Sequence, residues 1–279
     1  MTKKPVFSVI TTTRNCQEDI VVTAKSIRSQ TFRSLEWIIQ DCVSTDHTLE
    51  FAEKIFPDVK IASTPDDGIY DAMNKATGRC LGNWILFLQA GDWLAGRDVL
   101  RIIDSQLLRE TEIGFAPVFE VSIEGHISLR QPSFASQKLK RLKAAGLTEL
   151  QPHFLENMPC HQGVLMRREL FDDLKFDSSF IVSADWHHLF RAVAMGCREQ
   201  LLHTPLSWYP NGGFSFENSD LWIKDVIRIC KEYTQASLVD AHFEEALRYH
   251  VNFQQQRRHH LEVARRFIQG FDFVMAQKS

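Results

Sequence analysis

Short apolar runs alternate with amphipathic ones along this chain. Val6-Phe7-Ser8-Val9-Ile10 reads as a first strand, and across Glu18–Ser29 the apolar residues Ile20, Val21, Ala24 and Ile27 recur on one helix face. Leu35 to Gln40 reads as a second strand ending at Asp41, and Ser44-Thr45-Asp46 offers N-cap residues for a helix through Ile55. Val59 to Ala62 is a short third strand. An acidic turn, Pro65-Asp66-Asp67-Gly68, then leads into a short helical segment. Trp84-Ile85-Leu86-Phe87-Leu88 is apolar without a break, as expected of a strand covered on both faces. This alternating order predicts an α/β fold with a mostly parallel central sheet flanked by helices. Between residues 113 and 167 the pattern is less regular, with strand-like pieces at Ile113–Val121 and Gly163–Arg167. From Asp220 onward it is helical. The expected division is a domain over 1–218, split into halves 1–95 and 96–218, followed by a helical extension over 219–279.

Composition narrows the function classes. The chain has 279 residues, 44% hydrophobic and 24% charged, as in ordinary globular proteins. A net charge of −3 gives no global attraction to nucleic acid, and no nucleic-acid partner is expected. No apolar run approaches the ~18–20 residues of a membrane span. Met-Thr-Lys-Lys-Pro runs directly into the first strand without a signal-peptide core, so a cytoplasmic protein is expected. The six cysteines are scattered and form no C-x-x-C pair, which fits reduced thiols.

Two features point to a site. The first glycine in the chain is Gly68, and the loop after the first strand is Thr11-Thr12-Thr13-Arg14-Asn15. A dinucleotide fold or a P-loop needs glycines there, so a bound nucleotide would be held by side chains and a metal. Asp92 follows the apolar strand and the flexible Ala90-Gly91 step, where α/β sheets bind ligands. A lone carboxylate at that place suits a hard cation carrying a phosphate.

Seven segments in order resemble a family-2 glycosyltransferase of the GT-A fold, similar to bacterial enzymes that assemble colanic-acid, capsule or O-antigen repeat units. They are S-V-I-T-T-T-R-N, I-I-Q-D-C-V-S-T-D-H-T, P-D-D-G-I-Y-D-A-M-N-K, I-L-F-L-Q-A-G-D, P-C-H-Q-G, S-A-D-W and N-G-G-F-S, spanning residues 6 to 216. The resemblance implies inverting transfer from a nucleoside diphosphate sugar, expected to be UDP-linked. The implied acceptor is a hydroxyl of a glycan or lipid-linked saccharide in surface polysaccharide synthesis. It implies that Thr12 and Arg14 line the base and that Asp41 accepts a hydrogen bond from it. Asp66 belongs to the nucleotide pocket, and Asn74 and Lys75 lie near the phosphates or sugar. Asp92 ligates Mg²⁺ or Mn²⁺ on the diphosphate, and Asp185 is the general base. His161, Gln162 and Trp186 stand near the acceptor and the donor sugar.

The chain departs from that pattern in two places. Cys42, Val43 and His47 replace the usual glycines of the loop after the second strand, making it bulkier, and Ala90 replaces the first acid of D-x-D. The remaining function classes are a nucleotidyltransferase and a non-catalytic nucleotide-sugar-binding homologue. Each residue also has a plainer role. Asp46 suits a helix start, Asp185 a helix N-terminus, and adjacent His187 and His188 point apart on a helix. From Ala246 to Ser279, six Lys or Arg stand against two Asp or Glu among apolar residues, and Lys138–Lys143 adds a second basic patch. Such a helix can lie on an anionic membrane surface at the inner face of the plasma membrane, or pack on its own domain or a second subunit.

Overall fold

The computed structural model describes residues 4–122, 125–144, 158–210, 212–234, 243–245 and 247–248. The basic segment beyond Arg248 lies outside the described residues.

Strand β1 (Phe7–Thr13) is the axis of the larger sheet. It pairs in parallel with β2 (Leu35–Asp41) and with β4 (Trp84–Phe87), and β3 (Lys60–Ser63) extends the sheet beyond β2. The register sets Thr13 opposite Asp41 and Ile10 opposite Phe87, so the carboxyl ends of β1, β2 and β4 form one rim. On the other side of β4, β9 (Val164–Arg167) runs antiparallel, followed by β6 (Ile113–Phe115) and β10 (Glu199–Leu201). The sheet is therefore mostly parallel, with β9 the strand that reverses.

Strand periodicity assigns the cores. Phe7, Val9, Trp37, Ile39, Trp84 and Leu86 point to one face, against α1 (Asp19–Arg28) and α4 (Val99–Gln106). Ile10, Ile38, Ile85 and Phe87 point to the other, against α3 (Ile69–Thr77) and α7 (Ala184–Ala194). Both faces are buried, which is why the central strands read as continuous apolar runs. Helix α2 (Thr48–Ile55) packs beside α1. Among the described residues no helix is long and apolar enough to cross a membrane.

One expectation is corrected. The single strand expected over Ile113–Val121 is two strands in two sheets. Pro117 has no N–H for a ladder, and the chain turns there: β7 (Val118–Val121) joins a second sheet with β5 (Trp93–Leu94), β11 (Ser207–Pro210) and β8 (Ile127–Arg130). Trp208 stacks between Trp93 at 5.8 Å and Phe119 at 4.2 Å in that sheet. Beyond residue 218 the chain packs back on the core of α7. Helix α9 (Ser219–Tyr233) buries Ile223, Val226, Ile229 and Cys230 in the same core as α7.

Candidate active site

The rim at the carboxyl ends of β1 to β3 is built from satisfied hydrogen bonds. Asp41 closes β2 with no exposed surface. Its Oδ1 accepts from the hydroxyls of Thr13 (2.8 Å) and Ser44 (2.5 Å), and its Oδ2 from the Ser44 N–H (2.9 Å) and the Ser63 hydroxyl (2.7 Å). Burial alone would raise the carboxyl pKa; these donors outweigh it and hold it below the ordinary value. Asp41 thus ties together the ends of β1, β2 and β3. Both of its oxygens are engaged by the protein, whereas the sequence led to the expectation of a hydrogen bond to the base.

The loop around it is bulky and constrained. Asn15 and Val43 both adopt left-handed backbone, with φ of 48° and 49°. Asn15 accepts the Thr45 N–H at 2.8 Å, and its own N–H donates to Ser44 at 2.8 Å, so the two loops are knit together. Asp46 takes the Thr48 N–H (3.0 Å) and the Gln17 N–H (3.1 Å), fixing the start of α2. Arg14 is exposed beside this junction.

The turn after β4 carries Asp92. Gly91 has φ of +95°, which opens a tight turn, and Thr23 of α1 holds the turn through the carbonyls of Gln89 and Asp92. Asp92 is 5% exposed, and its Oδ2 accepts the Gln89 N–H at 3.0 Å. Burial pushes its pKa up to about 7, while Gln89 and the Gln162 side chain oppose the rise and Asp19 adds to it. Gln89 itself accepts both the N–H (3.0 Å) and the hydroxyl (2.7 Å) of Thr12, and its Nε2 is buried without a hydrogen-bond partner. Sequence reasoning did not single out Gln89. Its signal was an uncharged side chain inside the Phe87–Asp92 motif.

Asp185 occupies the first turn of α7. The Tyr70 hydroxyl donates to the Val182 carbonyl (2.5 Å) and lies 3.2 Å from Asp185 Oδ1, while His161 Nδ1 is 3.9 Å from Asp185 Oδ2. Burial raises the Asp185 pKa to about 6 against the Trp186 N–H and Tyr70, which favour the ionised form. Burial lowers both His161 and His188 to about 4, so both imidazoles are neutral at pH 7. His161 packs on Phe87 at 4.9 Å, and its Nε2 is buried without a partner. A cavity of about 20 Å³, lined by His161, Asp185, His188, Phe87 and Phe176 among others, lies beneath the carboxylate.

The turn leading into β9 joins the two carboxylates. His161 faces Asp185, and the adjacent Gln162 bonds Asp92. Gly163 permits this, because a Cβ there would meet the Ala116 carbonyl at 2.4 Å. Trp186 is half-buried and meets Trp222 of α9 edge-on at 5.9 Å. His187 turns away to Glu232 (3.0 Å) and His188 to the Leu174 carbonyl (2.9 Å).

Three other predicted residues stand apart from these carboxylates. Asp66 lies just beyond β3 and accepts the Gly68 N–H at 3.1 Å, holding the turn into α3. Asn74 grips the Phe176 backbone with its amide, donating to the carbonyl and accepting the N–H, both at 2.9 Å. Lys75 is paired with Asp71 at 2.6 Å and bonded to the Pro65 carbonyl.

The sequence profile of Glycosyl transferase family 2 matches residues 8–175, and the chain belongs to this family of glycosyltransferases. A PGL/p-HBAD biosynthesis glycosyltransferase of Mycobacterium tuberculosis is 30% identical over 197 residues, which is 68% of this chain and 70% of the relative. Among solved structures, Staphylococcus aureus TarS 1–349 in complex with UDP is similar with a TM-score of 0.57 at 18% identity, over 90% of this chain and 73% of that one. The chain spans 44% of the longer TarS structure. Glucosyl-3-phosphoglycerate synthase of Mycobacterium tuberculosis, solved with Mn²⁺, UDP and glucosyl-3-phosphoglycerate, is similar with a TM-score of 0.57 at 15% identity, covering 82% and 80%. These structures share the fold: a mixed α/β architecture with a mostly parallel central sheet.

Proposed function

We propose that this glycosyltransferase moves a sugar from a UDP-linked donor to a hydroxyl of a glycan or lipid-linked acceptor, with inversion at the anomeric carbon. The observation that carries the reading is a pair of carboxylates, buried Asp92 and half-buried Asp185, reached by adjacent side chains of one turn. Both are pushed toward neutral pKa and are poorly compensated by the protein, the condition of groups kept for a ligand or a proton. The relatives support a nucleotide donor, since TarS was solved with UDP and with UDP-GlcNAc. The mycobacterial relative named for PGL/p-HBAD biosynthesis supports a role in a biosynthetic glycosyl transfer.

A divalent cation fits Asp92. Among the described residues no cluster of three or more His, Cys, Asp or Glu forms a cage, so Asp92 would be the protein's carboxylate ligand, with diphosphate oxygens and water completing the shell. Mg²⁺ or Mn²⁺ held there would act as a Lewis acid on the leaving diphosphate. The uncompensated burial of Asp92 is the feature that such a charge relieves. Two of the solved relatives carry Mn²⁺ beside a nucleotide or nucleotide sugar.

Asp185 takes the proton from the acceptor hydroxyl as that oxygen attacks the anomeric carbon and the bond to the diphosphate breaks. Tyr70 and the start of α7 favour the ionised form, and an ionised carboxylate is what a general base requires near neutral pH. Neutral His161 beside it adds no positive charge that would weaken the base. One base and one leaving group make a single displacement, so an α-linked donor gives a β-linked product. A thermal-shift panel of sugar nucleotides with Mn²⁺ identifies the donor, and NMR of the product then reads the anomeric configuration. A β-linked product supports the proposal, and a retained configuration overturns it.

A further inference from the structure

Helix α7 begins without a cap of its own. Ser183 stands at the N-cap position, yet its side chain makes no capping bond, and its Oγ is buried without a partner. The preceding backbone N–H groups are satisfied from outside the segment. Asp225 of α9 is 8% exposed, and its Oδ2 accepts the N–H of Ile181 (2.9 Å), Val182 (2.7 Å) and Ser183 (3.0 Å). Such convergence on one carboxylate oxygen makes a strong, directional anchor. Arg228, one helical turn further along α9, grips the same loop. It donates to the Ser179 hydroxyl at 2.8 Å and to Asp177 at 3.3 Å, and lies over the Phe180 ring at 3.8 Å.

This loop is the support of the proposed base. Val182, whose N–H is held by Asp225, offers its carbonyl to Tyr70, and Tyr70 contacts Asp185. Asp185 is only two residues beyond Ser183. We infer that Asp225 is a positioning residue for Asp185: α9 completes the acceptor side of the active site by fixing the first turn of α7. The inference rests on the reading of Asp185 as general base. It makes α9 part of the catalytic apparatus and not an appendage to it.

Among the described residues, the titratable groups facing Asp185 include Tyr70 of α3, Cys160 and His161 of the turn before β9, His188 on α7 itself and Asp225 of α9. The negative charge of Asp225 makes ionising Asp185 harder. Asparagine at 225 keeps an acceptor but removes that charge. Alanine removes both. A scaffold role alone would alter stability and leave the kcat of the folded variant unchanged.

The test compares kcat, donor KM and the pH dependence of kcat/KM in full-length Asp225→Ala, Asp225→Asn and Asp185→Asn proteins. Asp225→Ala is expected to lose about tenfold to hundredfold in kcat, the usual effect of a misplaced catalytic group, with donor KM within about threefold of wild type. Asp225→Asn is expected to recover much of that rate, while its acidic limb shifts to lower pH. A folded Asp225→Ala enzyme with wild-type kcat, a defect confined to donor KM, or an unmoved acidic limb in Asp225→Asn overturns the inference. If Asp225→Ala does not fold, the pH limb of Asp225→Asn decides alone. Wild-type transfer by Asp185→Asn defeats the underlying assignment of the base instead, whatever Asp225 does.

Discussion

Asp41 is fully buried and Asp185 keeps 19% of its side chain exposed, and the protein treats the two carboxylates in opposite ways. Around Asp41, at the ends of β1 to β3, four donors converge and its pKa falls. Around Asp185, at the start of α7, the Tyr70 hydroxyl and the backbone N–H groups of Trp186 and Asp185 work against burial without overcoming it, the side chain lines a small cavity, and the pKa rises to about 6. Asp92 belongs with Asp185, although it sits on the nucleotide side. A carboxylate solvated by the protein stabilises the fold, whereas one left short of donors costs stability and is free to act on a ligand. The difference separates a carboxylate that shapes this site from those proposed to react in it.

The largest expected effect concerns the under-compensated group at β4. Asp92→Asn should cut transfer about a thousandfold or more, the loss of several kcal/mol of transition-state stabilisation. The same change should stabilise the ligand-free protein at high pH. The folded pKa of about 7 lies above the ordinary 3.8, so the native state keeps a proton that the unfolded chain has released. Wild-type stability attributable to Asp92 therefore falls as pH rises from 3.8 through about 7. The gain in melting temperature of Asp92→Asn should be near zero at pH 4 and largest at pH 8. A constant gain across that range would remove burial of the charge as its cause.

Asp41 should behave in the opposite sense. Asp41→Ala strands four donors and should cost about 3 kcal/mol at pH 7, read from denaturant midpoints. Because its folded pKa is lowered, the stability it contributes is present above its unfolded value and disappears as pH falls through the folded one. If Asp41→Ala left stability unchanged and lost only UDP affinity by calorimetry, Asp41 would be a base-reading residue after all.

A smaller effect is expected in the loop that follows. Val43 is β-branched, 51% exposed and held at φ of 49°, a conformation that strains such a side chain. Val43→Gly should stabilise the ligand-free protein by about 1 kcal/mol, the relieved strain less the added freedom of the unfolded chain. A lower melting temperature in that variant would show that the Val43 side chain contributes more than its backbone costs.

Much of this arrangement was legible in the sequence because it is local. The runs at Val6–Ile10, Leu35–Gln40 and Trp84–Leu88 became β1, β2 and β4, since burial on both faces leaves an unbroken apolar signature. Asp92 could be placed because a strand end needs no distant partner to define it. Asn74 and Asp41 could not be judged, because what decides them is which groups meet them from elsewhere: Phe176 for the first, Ser63 and Thr13 for the second. The split at Pro117 was visible as a residue but not as a change of sheet. Asp225 left no trace at all, since its three N–H partners lie more than forty residues earlier in the chain.

The central claim is that Asp185 removes the acceptor proton. Its most direct test is the single-turnover rate of Asp185→Asn with saturating donor, metal and acceptor, beside wild type. The amide preserves shape but cannot take the proton. Donor affinity should be unchanged, and the chemical step should slow by two to four orders of magnitude, roughly the worth of general base catalysis. A folded Asp185→Asn enzyme that transfers at the wild-type rate would contradict the account.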